Sequence, residues 1–341
     1  MAKRLGRSTF RMDDPPSALG FAAAGGKKEG EGPLGGEFDL LNTDTSFGEE
    51  TWEKAESRLQ LDAVRKALEK AALSPKEIDL IFAGDLLNQC VGSTYGLRAL
   101  EIPFLGVYGA CSTMAESLCL ASLFVDSRLA EQAVAVTSSH FCSAERQFRF
   151  PLEYGGQRPL TAQWTATAAG AVIVGRGNGP YIREVTVGTI TDLGITDMNN
   201  MGAAMAPAAA STFATFFKDT GTRPEDYDRI FTGDLGKVGS MLLLELLQEE
   251  GYDLSRNHED CGLLLYSPEQ DVHAGGSGCG CSASVLCAHI LPRLRKGEYK
   301  EVLFAATGAL MSPTSSQQGE SIPSIAHAVC LTSRKEDLPW N

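Results

Sequence analysis

One stretch of this chain occurs twice, and that duplication constrains the fold more than any other feature. Asp79-Leu-Ile-Phe-Ala-Gly-Asp-Leu86 returns as Asp228-Arg-Ile-Phe-Thr-Gly-Asp-Leu235. Gly109-Ala-Cys-Ser112 returns as Cys279-Gly-Cys-Ser282, each opening an apolar stretch. Ala133-Val-Ala-Val-Thr137 is matched by Leu303-Phe-Ala-Ala-Thr307. Cys111 and Thr137 stand 170 residues before Cys281 and Thr307. Chance gives one such echo; three in the same order identify two copies of one β/α unit.

The elements within the unit follow from residue spacing. Trp52, Ala55, Leu59, Ala63, Ala67 and Ala71 recur at three- and four-residue intervals, which predicts a helix with Thr51 as N-cap. Ser74-Pro75 ends it. Residues 79–85, 102–108 and 132–137 predict buried strands. Thr113–Asp126 is apolar nearly all round and predicts a buried helix. Alternating β and α elements imply a layered α/β architecture. Two halves, 38–180 and 181–341, pack most simply face to face, with a pocket near their sharp strand-to-helix turns. Residues 1–37 are polar and Gly-rich, and are expected to form loop with one short strand.

Composition excludes several classes of function. At 341 residues and 43% hydrophobic, the chain can bury a sizeable core. A net charge of −13 leaves no basic face for nucleic acid. Nine cysteines without regular spacing argue against a secreted disulfide framework and for a reducing compartment. No apolar run approaches the roughly 20 residues of a membrane helix. The basic N-terminus lacks the apolar core of a secretory signal, so membrane association is expected to be peripheral. His258, Cys261, Cys279, Cys281, Cys287 and His289 have spacings that fit no common zinc site, and no metal is expected.

Cys111, in Tyr108-Gly-Ala-Cys-Ser-Thr113, is the leading site residue. Between a strand and an apolar helix it forms an elbow, where the positive end of the helix dipole favours thiolate. Small flanking residues let a ligand approach the backbone N–H groups, Ser112 included. The bland alternative is a buried, inert cysteine.

The duplicated halves, the cysteine at the first elbow and the Gly-rich second elbow resemble the thiolase-like fold of thiolases and ketoacyl synthases, a layered α/β/α/β/α body. Longer strings narrow the resemblance. Lys28-Glu-Gly-Glu-Gly-Pro-Leu-Gly35, Ala83-Gly-Asp-Leu-Leu-Asn-Gln89, Tyr108-Gly-Ala-Cys-Ser-Thr113 and Ala144-Glu-Arg-Gln-Phe-Arg149 are similar to the bacterial stage V sporulation protein AD family. So are Asp192-Leu-Gly-Ile-Thr-Asp197, Gly275-Gly-Ser-Gly-Cys279 and Ile322-Pro-Ser-Ile-Ala-His327, and the likeness runs from about residue 20 to 330.

That resemblance implies binding of dipicolinic acid (pyridine-2,6-dicarboxylate), free or as its calcium chelate, for uptake into the developing spore. It implies a location inside the sporulating cell, peripheral at the spore inner membrane, with membrane proteins of the same transport complex as partners. No cofactor is implied, and thiolase-like bodies often pair as homodimers through the sheet edge.

Active condensing enzymes of the resembling fold carry a His just after the strand matching Ile230-Phe231, and a His or Asn near the second elbow. Here those places read Thr232-Gly-Asp234-Leu-Gly-Lys237 and Cys279-Gly-Cys-Ser282. A cysteine without a base or oxyanion donors has little machinery for condensation. Binding without turnover is therefore expected; the alternative is an acyl-transfer enzyme using Cys111, with Cys281 a less fitting second thiol.

A dicarboxylate ligand gives further residues a task. His140 follows the strand leading away from the Cys111 helix, and its imidazole is suited to a carboxylate or pyridine nitrogen; otherwise it is a structural His bonded to backbone. Arg146 and Arg149 can each grip a carboxylate, or pair with Glu145 or Glu153. Asp192 and Asp197 can reach a hard cation, or are solvated turn residues.

Overall fold

Each copy of the repeat builds the same five-stranded array. In the computed structural model, which describes residues 1–148 and 157–335, the first array contains β1 (Ser17–Gly25), β2 (Leu80–Gly84), β3 (Phe104–Gly106), β4 (Gln132–Ser139) and β5 (Ala168–Gly175). The second contains β6 (Tyr181–Thr186), β7 (Arg229–Thr232), β8 (His258–Asp260), β9 (Glu301–Ala309) and β10 (Ser324–Thr332). Their orders are β3-β2-β4-β5-β1 and β8-β7-β9-β10-β6.

The pairing directions repeat as well. β2 runs parallel to β3 and β4, and β5 is antiparallel to β4 and β1. β7 runs parallel to β8 and β9, and β10 is antiparallel to β9 and β6. β1 and β6 meet only at Ser17 and Tyr181.

Helices complete five layers. α1 (Trp52–Ala71), capped by the Thr51 hydroxyl accepting from the Lys54 N–H at 3.3 Å, covers the outer face of the first array together with α2 (Val91–Leu97). α3 (Thr113–Asp126) lies between the arrays and touches strands of both. α4 (Phe141–Phe148) follows β4. α5 (Met201–Thr220) and α6 (Gly236–Glu249) cover the second array, and α7 (Cys279–Val285) joins α3 in the middle layer.

Strand periodicity divides the apolar residues among three cores. On β4, Ala133 and Ala135 face the middle layer while Val134 and Val136 face α1. On β9, Phe304 faces the middle layer with Met114 and Leu118, whereas Leu303 meets Phe213 and Phe217 under α5. Apolar burial on both sides of each sheet holds the layers together.

The loop reading of residues 1–37 is corrected. Ser17–Gly25 is a nine-residue strand buried almost throughout, the last of its array and the one that meets the second array, and Lys3–Leu5 and Thr9–Arg11 form a hairpin beside β6. Its sequence, SALGFAAAG, has no β-branched residue, and α1 lies close: a β-carbon at Gly20 would collide with the Ala67 carbonyl oxygen. Small residues here record close packing rather than a turn.

Candidate functional site

The first elbow is held by its own hydroxyls. Ala110 takes the left-handed backbone conformation, φ +49°, at the corner between β3 and α3. Ser112 Oγ donates to the Gly109 carbonyl at 2.7 Å, and Thr113 Oγ1 donates to the Ala110 carbonyl at 2.6 Å. The Gly109 N–H donates to Thr113 Oγ1 at 3.2 Å. The Ser112 hydroxyl proton is thus committed to the turn, and Ser112 is fully buried.

Cys111 sits on this corner with 6% of its surface exposed. Leu86, Ala110, Ala144 and Cys279 pack around it, with Phe148 and Leu310 alongside. Its polar neighbours come from the second copy. Ser277 Oγ lies 3.9 Å from Cys111 Sγ and donates to Asp234 Oδ2 at 2.9 Å. The Gly278 N–H reaches the same carboxylate oxygen at 3.1 Å, and Thr307 Oγ1 donates to Asp234 Oδ1 at 2.7 Å. Cys279 Sγ donates to the Ala110 carbonyl at 2.9 Å.

The expectation of a thiolate is corrected. Burial pushes the Cys111 thiol well above its ordinary value, and the Asp234 carboxylate pushes in the same direction. A helix terminus supplies about 0.3–1 kcal/mol to a nearby charge. Removing an ion from water costs several kcal/mol, so burial wins.

A second carboxylate site lies in the first half. Asp85, the repeat mate of Asp234, accepts from the Ser93 N–H at 2.7 Å, Ser93 Oγ at 2.6 Å and the Leu87 N–H at 2.9 Å. Glu56 on α1 accepts from Ser138 Oγ at 3.2 Å and from Ser143 Oγ, on α4, at 2.6 Å. Burial first, and then the charge of Asp85, push Glu56 up to about 8.

The remaining sequence-derived residues lie as follows. His140 is buried and stacked on Trp52, ring centroids 5.6 Å apart. Its Nε2 donates to the Thr45 carbonyl at 2.7 Å, and its Nδ1 accepts from the Cys142 N–H at 3.2 Å, so backbone occupies both nitrogens. Arg146 pairs with Glu53, although its helix also carries Ala144 against Cys111. Arg149 lies outside the described residues. Asp192 sits in an exposed turn, accepting from the Gly194 N–H at 2.9 Å and Ser321 Oγ at 2.6 Å. Asp197 accepts from the Asn199 N–H at 2.9 Å.

Every histidine of the chain has a partner other than Cys111. His258 bonds Thr232 Oγ1, His273 the Pro159 carbonyl, His289 the Glu37 carboxylate, and His327 the Gly188 N–H. Sequence reasoning read residue 234 only as the place of an absent histidine and missed Asp234, Ser277 and Thr307 as a unit. The available signal was the repeat itself, which carries Asp in both copies.

Residues 6–332 match the family described as stage V sporulation protein AD. A curated relative, stage V sporulation protein AD of Bacillus subtilis (strain 168), is 50% identical over 328 residues, covering 96% of this chain and 97% of the relative. The chain belongs to the stage V sporulation protein AD family. Among solved structures, 3-oxoacyl-[acyl-carrier-protein] synthase III from Aquifex aeolicus VF5 is similar, with a TM-score of 0.56 and 15% identity over 93% of this chain and 99% of that one. Cerulenin-bound OleA from Xanthomonas campestris gives a TM-score of 0.58 and 14% identity, covering 94% and 98%. These likenesses show the fold, which is thiolase-like. Among the described residues, no helix is long and apolar enough to cross a membrane.

Proposed function

We propose that this protein binds dipicolinic acid, free or as its calcium chelate, beside Cys111 at the first elbow, and serves its uptake into the developing spore. The observation that carries binding over turnover is the polar shell of that cysteine. Where a condensing enzyme needs a base, the chain offers the buried Asp234, already accepting from Ser277, Gly278 and Thr307, while all five histidines are bonded elsewhere. Membership of a sporulation family supports the physiological setting.

In this reading the protein acts at the periphery of the spore inner membrane with membrane-embedded partners of a transport complex. A homodimer would form along β3, the edge strand of the first array, where Leu105 is exposed and Tyr108 follows just beyond it. Equilibrium dialysis against millimolar dipicolinate tests the function: saturable uptake supports it, and its absence with and without calcium removes it. Steady product release from acyl-thioesters would instead establish the acyl-transfer reading.

A further inference from the structure

We propose that Asp234, acting through Ser277, disarms Cys111, so that the first elbow presents a neutral S–H group for recognition rather than a nucleophile. Hydrogen-bond polarity fixes what the sulfur faces. Asp234 accepts at both oxygens: Thr307 Oγ1 donates to Oδ1 at 2.7 Å, and Ser277 Oγ and the Gly278 N–H donate to Oδ2 at 2.9 and 3.1 Å. Burial raises the Asp234 carboxyl above its ordinary value, and Thr307, the Cys111 thiol, the Gly278 N–H and Ser277 oppose that rise by favouring the ionised form. Ser277 has one hydroxyl proton, and Asp234 takes it. The Ser277 oxygen therefore turns only lone pairs toward Cys111 Sγ, 3.9 Å away. A thiol can donate into those lone pairs; a thiolate faces an acceptor and a carboxylate behind it.

Burial reinforces the polarity. Asp234, Ser277 and Thr307 are almost wholly buried, so solvent does little to screen the carboxylate from the sulfur. Among the described residues, the other titratable groups felt around Cys111 add no cation. They are the thiols of Cys279 and Cys281 and the phenol of Tyr108, and Asp260 adjoins Asp234 with a pKa of about 6. Cys279, itself near Asp85 and Glu56, is held well above its ordinary value by burial. This role for Asp234 stands whether or not the ligand is dipicolinate, since it concerns the sulfur alone.

The test is the rate at which iodoacetamide alkylates Cys111, read by peptide mass spectrometry on the full folded chain without ligand. Only the thiolate displaces iodide, so the rate reports the thiolate fraction. Asp234→Asn keeps the shape and removes the charge, and it should speed alkylation at pH 8 about tenfold or more, equivalent to lowering the thiol pKa by at least one unit. An unchanged rate would assign the inertness to burial alone and overturn the proposal. A slower rate would make Asp234 an activating base and overturn it equally. If Asp234→Asn does not fold, Ser277→Ala takes its place, since it removes the lone pairs turned toward the sulfur. Faster alkylation than in the wild type agrees with the proposal, and an unchanged or slower rate contradicts it.

Discussion

The two Gly-Asp-Leu turns of the repeat, at residues 84–86 and 233–235, end matching strands yet hold different chemistry. Asp85 faces a second carboxylate: Glu56 is buried beside it, and α2 and the 85–87 turn supply its donors. Asp234 faces a sulfur: Ser277 and Thr307 hold it behind Cys111. The elbows diverge in the same way. Cys111 keeps a little surface, whereas Cys279 and Cys281 are fully enclosed. Duplication supplied two equivalent corners, and packing encloses the second completely while leaving Cys111 at the first with a little exposed surface.

The largest expected effect concerns the Asp85 side. Glu56 is raised from 4.5 to about 8 in the folded protein, so the folded state keeps a proton that the unfolded chain loses. The stabilisation is full below pH 4.5 and is lost as pH rises through about 8, on the order of 5 kcal/mol. Denaturant titrations across this window should show stability falling with pH in the wild type and a flatter profile in Glu56→Gln. An unchanged slope would mean that Glu56 is not the proton holder.

The next effect contrasts the elbows. A methyl at Gly280 would strike the Ala168 carbonyl, which is strand backbone, whereas one at Gly109 would meet side chains, the Glu116 carboxylate and the Ser112 hydroxyl, and would cost the turn bond of Ser112 rather than a shift of the sheet. Gly280→Ala should cost about 3 kcal/mol and Gly109→Ala about 1 kcal/mol, read as melting shifts. Equal shifts would erase the distinction between a packed corner and a usable one. His140→Ala should cost about 2 kcal/mol, from the Thr45 bond and the Trp52 stack, while changing dipicolinate affinity less than about threefold. A selective loss of binding would place His140 in the site instead. The smallest effect belongs to Arg146→Ala, whose partly exposed pair with Glu53 is worth about 1 kcal/mol or less in a melting experiment.

Much of the fold was legible because the repeat is local and strongly patterned. Thr113–Asp126 is a helix over the residues expected, and 79–85 and 132–137 cover β2 and most of β4, but of 102–108 only Phe104–Gly106 is strand, and as the edge of its array it is exposed rather than buried. β1 was hidden because its alanines and glycines answer to a helix packed across the sheet, a constraint no local pattern reveals. The site was only half legible. Cys111 is marked by its own motif, but Asp234, Ser277 and Thr307 come together through three separate segments of the second copy. His140 shows the opposite limit: nearness along the chain to the strand beside the elbow does not fix where an imidazole turns, and here backbone bonds both its nitrogens.

Isothermal titration of dipicolinate into the wild-type protein and into Cys111→Phe tests most directly whether the first elbow is the binding corner. One saturable phase in the wild type, lost in a variant that keeps its melting temperature, is the predicted result. Equal binding by both proteins, or no heat from either beside steady acyl-thioester turnover, would contradict it.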